Sequence, residues 1–303
     1  MIQVVIFSFD RAMQLDLLLH SIEKFDTQRI FSISVLFSCS SETHQTAYDR
    51  LKNNYPDIYW LQEQRYAKPQ TNYQFDFAYW HNLYWWLKNN IFRQNKSNFK
   101  SCLLKLLAGT KYPFTMFLTD DSLFYNPVNI PENCMEKIKR QPEQYSFSFR
   151  HGMNLHGGAY QEQSACIEWN IFENDAKTDW GYPFSVDGHV YDSQTIYRII
   201  KKILLNNPNT MEGNIVCYVT EKKCFSIIMA SKQSCLAGFE LNRVQSVSDN
   251  HHLGISQEKL NQYYLNDYAL EIDFDLSNVD YFRPKIQTLS IAKGSEKIKI
   301  WNP

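Results

Sequence analysis

The feature that most constrains this chain is a unit that recurs through residues 1–121: a short apolar run that stops at polar residues, followed by a helical pattern. Ile2–Phe9 (IQVVIFSF) breaks at Asp10-Arg11, and Met13, Leu17, Leu18, Ile22 and Phe25 then recur on one helical side. Residues 31–37 (FSISVLF) end in Ser38-Cys39-Ser40-Ser41, and Ser41 with Glu42 opens a helix that runs to Pro56. Residues 57–62 supply a third strand. Residues 71–90 supply an aromatic helix with Phe75, Tyr79, Asn82, Leu83 and Trp86 along one side. Residues 93–110 read as a basic, irregular connection, and 114–118 (FTMFL) as a strand that stops at Thr119-Asp120-Asp121.

Strands alternating with helices at this spacing predict an α/β fold with a mainly parallel central sheet flanked by helices. Ligands in such sheets bind at the carboxyl ends of the strands. Residues 8–11, 38–41 and 119–122 are therefore expected to share one rim. The second half is less regular and predicts a smaller, mixed region. Strands are expected at 145–150, 165–172, 225–230 and 235–242, and helices at 193–205, from Thr210, and at 257–266. From 270 onward, apolar residues alternate with Lys, as in one or two edge strands. There is no repeat, heptad run or low-complexity linker, so the chain is expected to form a single unit, 1–303.

Composition narrows the partners. A net charge of −1 and a pI near 6.7 leave no electrostatic footprint for a nucleic-acid polymer. The seven cysteines form no C-x-x-C pair and read as small buried hydrophobes in a reducing compartment. Residues 1–9 lack a basic leader, and no stretch approaches the roughly 18 apolar residues of a membrane helix. The expectation is a cytoplasmic protein without a transmembrane segment, which leaves peripheral membrane association open.

The sharpest chemical feature is FLTDDSLF, residues 117–124, where two adjacent carboxylates directly follow a buried-type strand. Mg²⁺ and Mn²⁺ take one or two carboxylates together with phosphate oxygens. An ion held there would neutralise a leaving diphosphate. A solvated Asp-Asp turn is the alternative for the dipeptide alone. Neither G-x-x-x-x-G-K nor G-x-S-x-G occurs.

The opening VVIFSFDRAMQLDLLLHSI resembles the start of GT-A glycosyltransferases, in which a strand ending in Ser-x-Asn-Arg precedes a Leu-rich helix; Asp10 replaces the usual Asn. Thr119-Asp120-Asp121 resembles that fold's D-x-D signature. YPFSVDGHVYDSQTIYRII followed by NPNTMEGN looks like its acceptor-side strand and helix. The resemblance, nearest to bacterial family-2-like enzymes, covers about residues 1–265. The pattern's second strand ends in an acidic pair, where this chain has Ser38-Cys39-Ser40-Ser41.

The resemblance implies a GT-A-like fold with a nucleotide-sugar-binding half (1–125), an acceptor half (126–269) and a C-terminal extension (270–303). It implies transfer of a sugar from a nucleotide-diphosphate sugar to a glycan or lipid-linked acceptor, assisted by Mn²⁺ or Mg²⁺ and inverting. Asp121 would ligate the metal, and Asp120 would contact the metal or the donor ribose. Ser8, Phe9, Asp10 and Arg11 would line the nucleotide pocket with Ser38 and Thr119, Arg11 pairing with phosphate and Lys68 reaching the nucleotide. His251, in Asp249-Asn250-His251-His252, stands where some such enzymes place a late metal ligand; His151, His156 and His189 are weaker candidates. An inverting transfer needs a carboxylate base. Glu212 and Asp187, the latter read as lying on a strand, are the two candidates. The alternative is a catalytically degenerate GT-A-like domain that binds a nucleotide or glycan without turnover. A nucleotidyltransferase would carry a Gly-rich, Lys/Arg-containing loop after the first strand, which SFDRAMQ lacks.

Overall fold

The computed structural model describes residues 1–65, 80–91, 97–242, 253–275 and 285–302. In chain order the first half is β1 (Ile2–Phe9), α1 (Ala12–Phe25), β2 (Phe31–Ser38), α2 (Glu42–Asn54), β3 (Tyr59–Gln62), α3 (Trp80–Ile91), α4 (Phe99–Ala108), β4 (Phe114–Thr119) and β5 (Ser122–Phe124). The second half is α5 (Glu132–Arg140), β6 (Tyr145–Ser148), β7 (Gln161–Glu162), β8 (Cys166–Asn170), β9 (His189–Asp192), α6 (Ser193–Lys202), α7 (Pro208–Lys222), β10 (Ile227–Ser231), β11 (Leu236–Gly238) and α8 (Gln257–Leu265). Strands β12 (Ala269–Asp275), β13 (Lys285–Lys293) and β14 (Glu296–Trp301) follow.

The main sheet runs β3-β2-β1-β4-β9-β6-β10-β8-β7. Its first four strands are mutually parallel, β9 is antiparallel to both β4 and β6, and β10 is parallel to β6. This is the α/β architecture expected from the strand–helix alternation, with the mixed part in the second half of the chain. β1 lies at its centre, and every residue from Ile2 to Ser8 is buried because helices cover both faces. One apolar layer joins Val4 and Ile6 to Leu15, Leu18 and Leu19 of α1 and Leu51 of α2. The other joins Val5 and Phe7 to Leu103 and Leu107 of α4 and Ile196 and Ile200 of α6.

Two expectations need correction. Residues 99–108, read as irregular, form α4. Phe99, Cys102, Leu103, Leu106 and Leu107 recur at helical spacing and are buried, so the lysines between them had masked an amphipathic helix. The C-terminal stretch is a separate three-stranded antiparallel sheet, β12-β13-β14, instead of one or two edge strands. Its Leu270, Leu289 and Ile291 join the core beside α1. The first part of the aromatic helix, 71–79, lies outside the described residues.

Candidate active site

The carboxyl ends of β1, β2 and β4 converge as expected. Asp10 N–H donates to the Ser38 carbonyl (3.4 Å), and Asp120 N–H to the Phe7 carbonyl (3.1 Å). Parallel pairing of β1 with both neighbours brings these ends to one rim.

Asp120 is buried and fully engaged. Its Oδ2 accepts from Ser8 Oγ (2.7 Å) and Phe9 N–H (3.1 Å), and its Oδ1 from Arg11 Nη1 (3.0 Å). Ser8 donates to Asp120, so its 2.5 Å contact with Tyr48 is a bond donated by the phenol, which in turn accepts from Arg11 N–H (3.2 Å). Burial pushes the Asp120 carboxyl up to about 6, against the opposing pull of Arg11.

Asp121 is more open. Its side chain is 18% exposed, and Oδ2 accepts from Arg11 Nη1 (2.9 Å). Arg11 is itself buried. Its Nε and Nη2 donate to the Asn242 side-chain and main-chain oxygens (2.8 and 2.5 Å). Four of its five N–H groups thus point at protein acceptors, leaving at most one for a phosphate. Burial works against its charge, but the two carboxylates more than offset that and hold its pKa above the ordinary value.

A second carboxyl pair lies across from β4. Asp187 sits in the turn before β9, not on the strand as expected: Gly188, at φ +80°, bends the chain there as its N–H joins β4 through the Phe117 carbonyl (2.8 Å). Asp187 Oδ1 accepts from Thr119 Oγ1 (2.6 Å) and Oδ2 from Arg150 Nη1 (2.8 Å). Glu212, in the second turn of α7, accepts from Val186 N–H (3.1 Å). α7 starts where it does because Asn207 and Thr210 form a capping box, which sets Glu212 beneath the 185–187 turn. Burial first, and the Asp187 charge second, push Glu212 up to about 8. Tyr182 is raised by burial and then by the Glu212 and Asp187 charges.

Ser8, Phe9, Asp10, Arg11, Ser38, Thr119, Asp120 and Asp121 therefore occupy one rim, with Asp187 linked to it through Thr119 and Glu212 bonded to Val186, the residue before Asp187. Lys68 and His251 lie outside the described residues. His151 and His189 are buried with their rings 5.6 Å apart, His151 also packing against Trp169 and Trp180, and burial holds His189 down to about 3. Among the described residues no group of three or more His, Cys, Asp or Glu side chains converges to hold a metal.

Sequence reasoning missed Arg150, Tyr48 and Asn242. Arg150 ends the run YSFSFR, two residues past β6, and was within reach of the strand-end rule that selected Asp10 and Asp121. Tyr48 and Asn242 had no such signal.

Over 288 residues the sequence is 24% identical to the bifunctional glycosyltransferase pgtA of Dictyostelium discoideum, covering 82% of this chain. The chain resembles a glycosyltransferase along most of its length. It spans only 33% of the length of that relative. No protein-family model matches. Among solved structures, S. aureus TarS 1–349 in complex with UDP aligns at 12% identity and a TM-score of 0.44, over 78% of this chain and 59% of that one. Mannosyltransferase PcManGT from Pyrobaculum calidifontis, in complex with GDP-Man and Mn²⁺, aligns at 11% identity and a TM-score of 0.33, over 65% and 46%. Among the described residues no helix is long and apolar enough to cross a membrane.

Proposed function

We propose that this chain is a glycosyltransferase that moves a sugar from a nucleotide-diphosphate sugar to an acceptor hydroxyl with inversion. The observation that carries the reading is the Thr119–Asp187 bond: it sets an acidic strand end, suited to a diphosphate and its cation, beside a carboxyl pair suited to taking a proton. Similarity to a glycosyltransferase over most of the chain supports the same class.

Asp121 fits a Mn²⁺ or Mg²⁺ ligand better than Asp120. It is partly exposed and its Oδ1 makes no hydrogen bond among the described residues, whereas both Asp120 oxygens are engaged in the interior. One protein carboxylate suits a cation that takes its remaining ligands from water and donor phosphate. Bound there, the ion would supply positive charge to the departing diphosphate. Asp120 is a positioning residue: it ties β1 to β4 and aims Arg11.

Glu212 is the base. A general base works best when its pKa lies near the working pH, and Glu212 at about 8 meets that condition. Asp187 is held by Arg150 and Thr119, and its charge raises Glu212's proton affinity. Inversion, a glycan or lipid-linked acceptor and a cytoplasmic setting that leaves peripheral membrane association open are parts of the same proposal, as is the division into donor half, acceptor half and C-terminal extension.

One observation favours a second reading, a binding domain without turnover: Arg11 already neutralises much of the acidic pair. A thermal-shift panel of nucleoside diphosphates and nucleotide sugars, with and without Mn²⁺, tests both. A ligand at 100 times its Kd stabilises the fold by about 2.7 kcal/mol. Binding followed by slow donor hydrolysis supports the enzyme, binding without hydrolysis or transfer supports the second reading, and no shift with any nucleotide removes both.

A further inference from the structure

Helix α5 is held on the second half of the sheet through few side chains. Cys134 and Ile138, one turn apart, are its buried residues, and Lys137 on the same side pairs with Glu168 of β8. Cys166 lies two residues before Glu168, on the same face of β8. The Lys137–Glu168 pair therefore sets the side of α5 that carries Cys134 against the face of β8 that carries Cys166. Both cysteines are fully buried in one apolar cluster, and their thiols are in hydrogen-bond contact. Burial also raises the thiols of Cys39, Cys102, Cys217, Cys224 and Cys235, but among the described residues no second cysteine acts on any of these.

The pair is closed to solvent but weakly latched. The N-cap of α5, Pro131, offers no side-chain acceptor to the first-turn N–H groups, and the Cys134 N–H bonds the Pro131 carbonyl (2.9 Å). Glu132 and Asn133, the first two residues of the helix, are exposed. A short helix with an uncapped end opens locally at low cost, and Cys134 stands in that first turn. Burial, and then Cys166, raise the Cys134 thiol above its ordinary value and keep it protonated while the turn is closed. The thiolate needed for exchange therefore forms when the turn opens.

We propose that Cys134 and Cys166 form a disulfide that fastens α5 to β8 when the chain meets a low-molecular-weight disulfide oxidant. The opened Cys134 thiolate attacks one sulfur of the oxidant, forming a mixed disulfide and expelling one thiolate, which takes up a proton. On reclosing, the Cys166 thiolate attacks the Cys134 sulfur and expels the second. The two protein thiols lose two electrons and two protons, and the oxidant is reduced to two thiols. The new bond, about 2.05 Å, is shorter than a thiol–thiol contact. The closing movement falls on a helix anchored by two buried side chains. The loop so closed, 134–166, contains β6 and Arg150, the residue that holds Asp187. In a reducing compartment the pair stays as two thiols packed in the core.

The test treats the folded full chain with oxidised glutathione, quenches with acid and an alkylating agent, and maps the unreduced digest by mass spectrometry. The expected result is a pair of peptides linked through Cys134 and Cys166, together with a rise in thermal midpoint that dithiothreitol reverses. Cys166→Ala should accumulate glutathione on Cys134, and Cys134→Ala should leave Cys166 unmodified, because Cys166 lies on a paired strand and not in an opening turn. Recovery of Cys134 and Cys166 as free thiols, under oxidation that modifies the partly exposed Cys39 and Cys224, overturns the site. Linkage that forms only in urea, or that joins either residue to another cysteine, does the same. Glutathione on Cys166 in Cys134→Ala overturns the entry through α5, and a lower midpoint in the linked chain overturns the fastening. If the variants do not fold, the parent's linked peptides decide alone.

Discussion

Thr119, the last residue of β4, donates to Asp187 Oδ1 across 2.6 Å, and so couples the acidic strand end to the turn before β9. The two carboxyl pairs are therefore positioned relative to each other by a side-chain bond, as well as by the antiparallel pairing of β4 with β9.

Metal-dependent binding should rest on Asp121. Asp121→Ala is expected to abolish the Mn²⁺-dependent part of nucleoside diphosphate affinity while leaving the thermal midpoint nearly unchanged, since the side chain is partly exposed and lies at the rim. Titrations with and without Mn²⁺ check this. Affinity equal to the parent's in Mn²⁺ would remove Asp121 from the metal site.

Arg11 should matter first for stability. Arg11→Met leaves Asp120 buried without its counter-charge and is expected to cost about 3–5 kcal/mol. Arg11→Lys should recover only part of this, because an ammonium cannot span Asp120, Asp121 and Asn242 as the guanidinium fork does. Urea unfolding measures both variants. A loss below about 1 kcal/mol for Arg11→Met would mean that the buried ion pair contributes little.

Glu212 makes a signed pH prediction. Its folded value of about 8 lies above the ordinary 4.5, so between these values the folded chain keeps a proton that the unfolded chain has released. The contribution to stability is fully present below about pH 4.5 and is lost as the pH rises through about 8. Glu212→Gln should be more stable than the parent at pH 8 and equal to it at pH 4. Urea midpoints at both values check the sign; a variant less stable at pH 8 contradicts it.

The same residue should shape the rate. With donor saturating, transfer is expected to rise with pH through about 8 and to fall about 10²–10⁴-fold in Glu212→Gln, with donor affinity nearly unchanged. Asp187→Asn is the paired measurement. A large loss there with little in Glu212→Gln exchanges the two roles.

Gly188 should be intolerant of a side chain. At φ +80° a methyl is strained, and it would also run into the Leu236 side chain. Gly188→Ala is expected to cost about 1–3 kcal/mol, and to lower transfer more than donor binding because Asp187 precedes it. Thermal unfolding beside initial rates separates the two effects, and a variant of parental stability would show that the turn adapts.

Much of the donor half could be read from one dimension. Strands β1, β2, β3 and β4 lie within two residues of their expected bounds, because a fully covered parallel strand is apolar along its length and its end is marked by the first polar residue. The shared rim of Asp10, Ser38 and Asp121 followed from the same rule. α4 was missed because Lys100 and Lys105 broke the visual run of its apolar face, and the sheet β12-β13-β14 because alternation marks strands without saying how many of them pair with one another.

The amino-acid sequence by itself determined which residues could carry chemistry: adjacent carboxylates at a strand end, and two later carboxyls beside a predicted helix and strand. Only the tertiary structure decided what state each of them is in. Asp120 and Asp121 differ because burial engages one and exposes the other. Arg11 turns inward because Asn242, 231 positions away, completes its hydrogen bonds. Glu212 holds its proton because folding removes it from water and sets Asp187 beside it. Residue type and local pattern are properties of neighbouring positions, whereas desolvation and charge pairing depend on distances across the folded chain, which no local pattern contains.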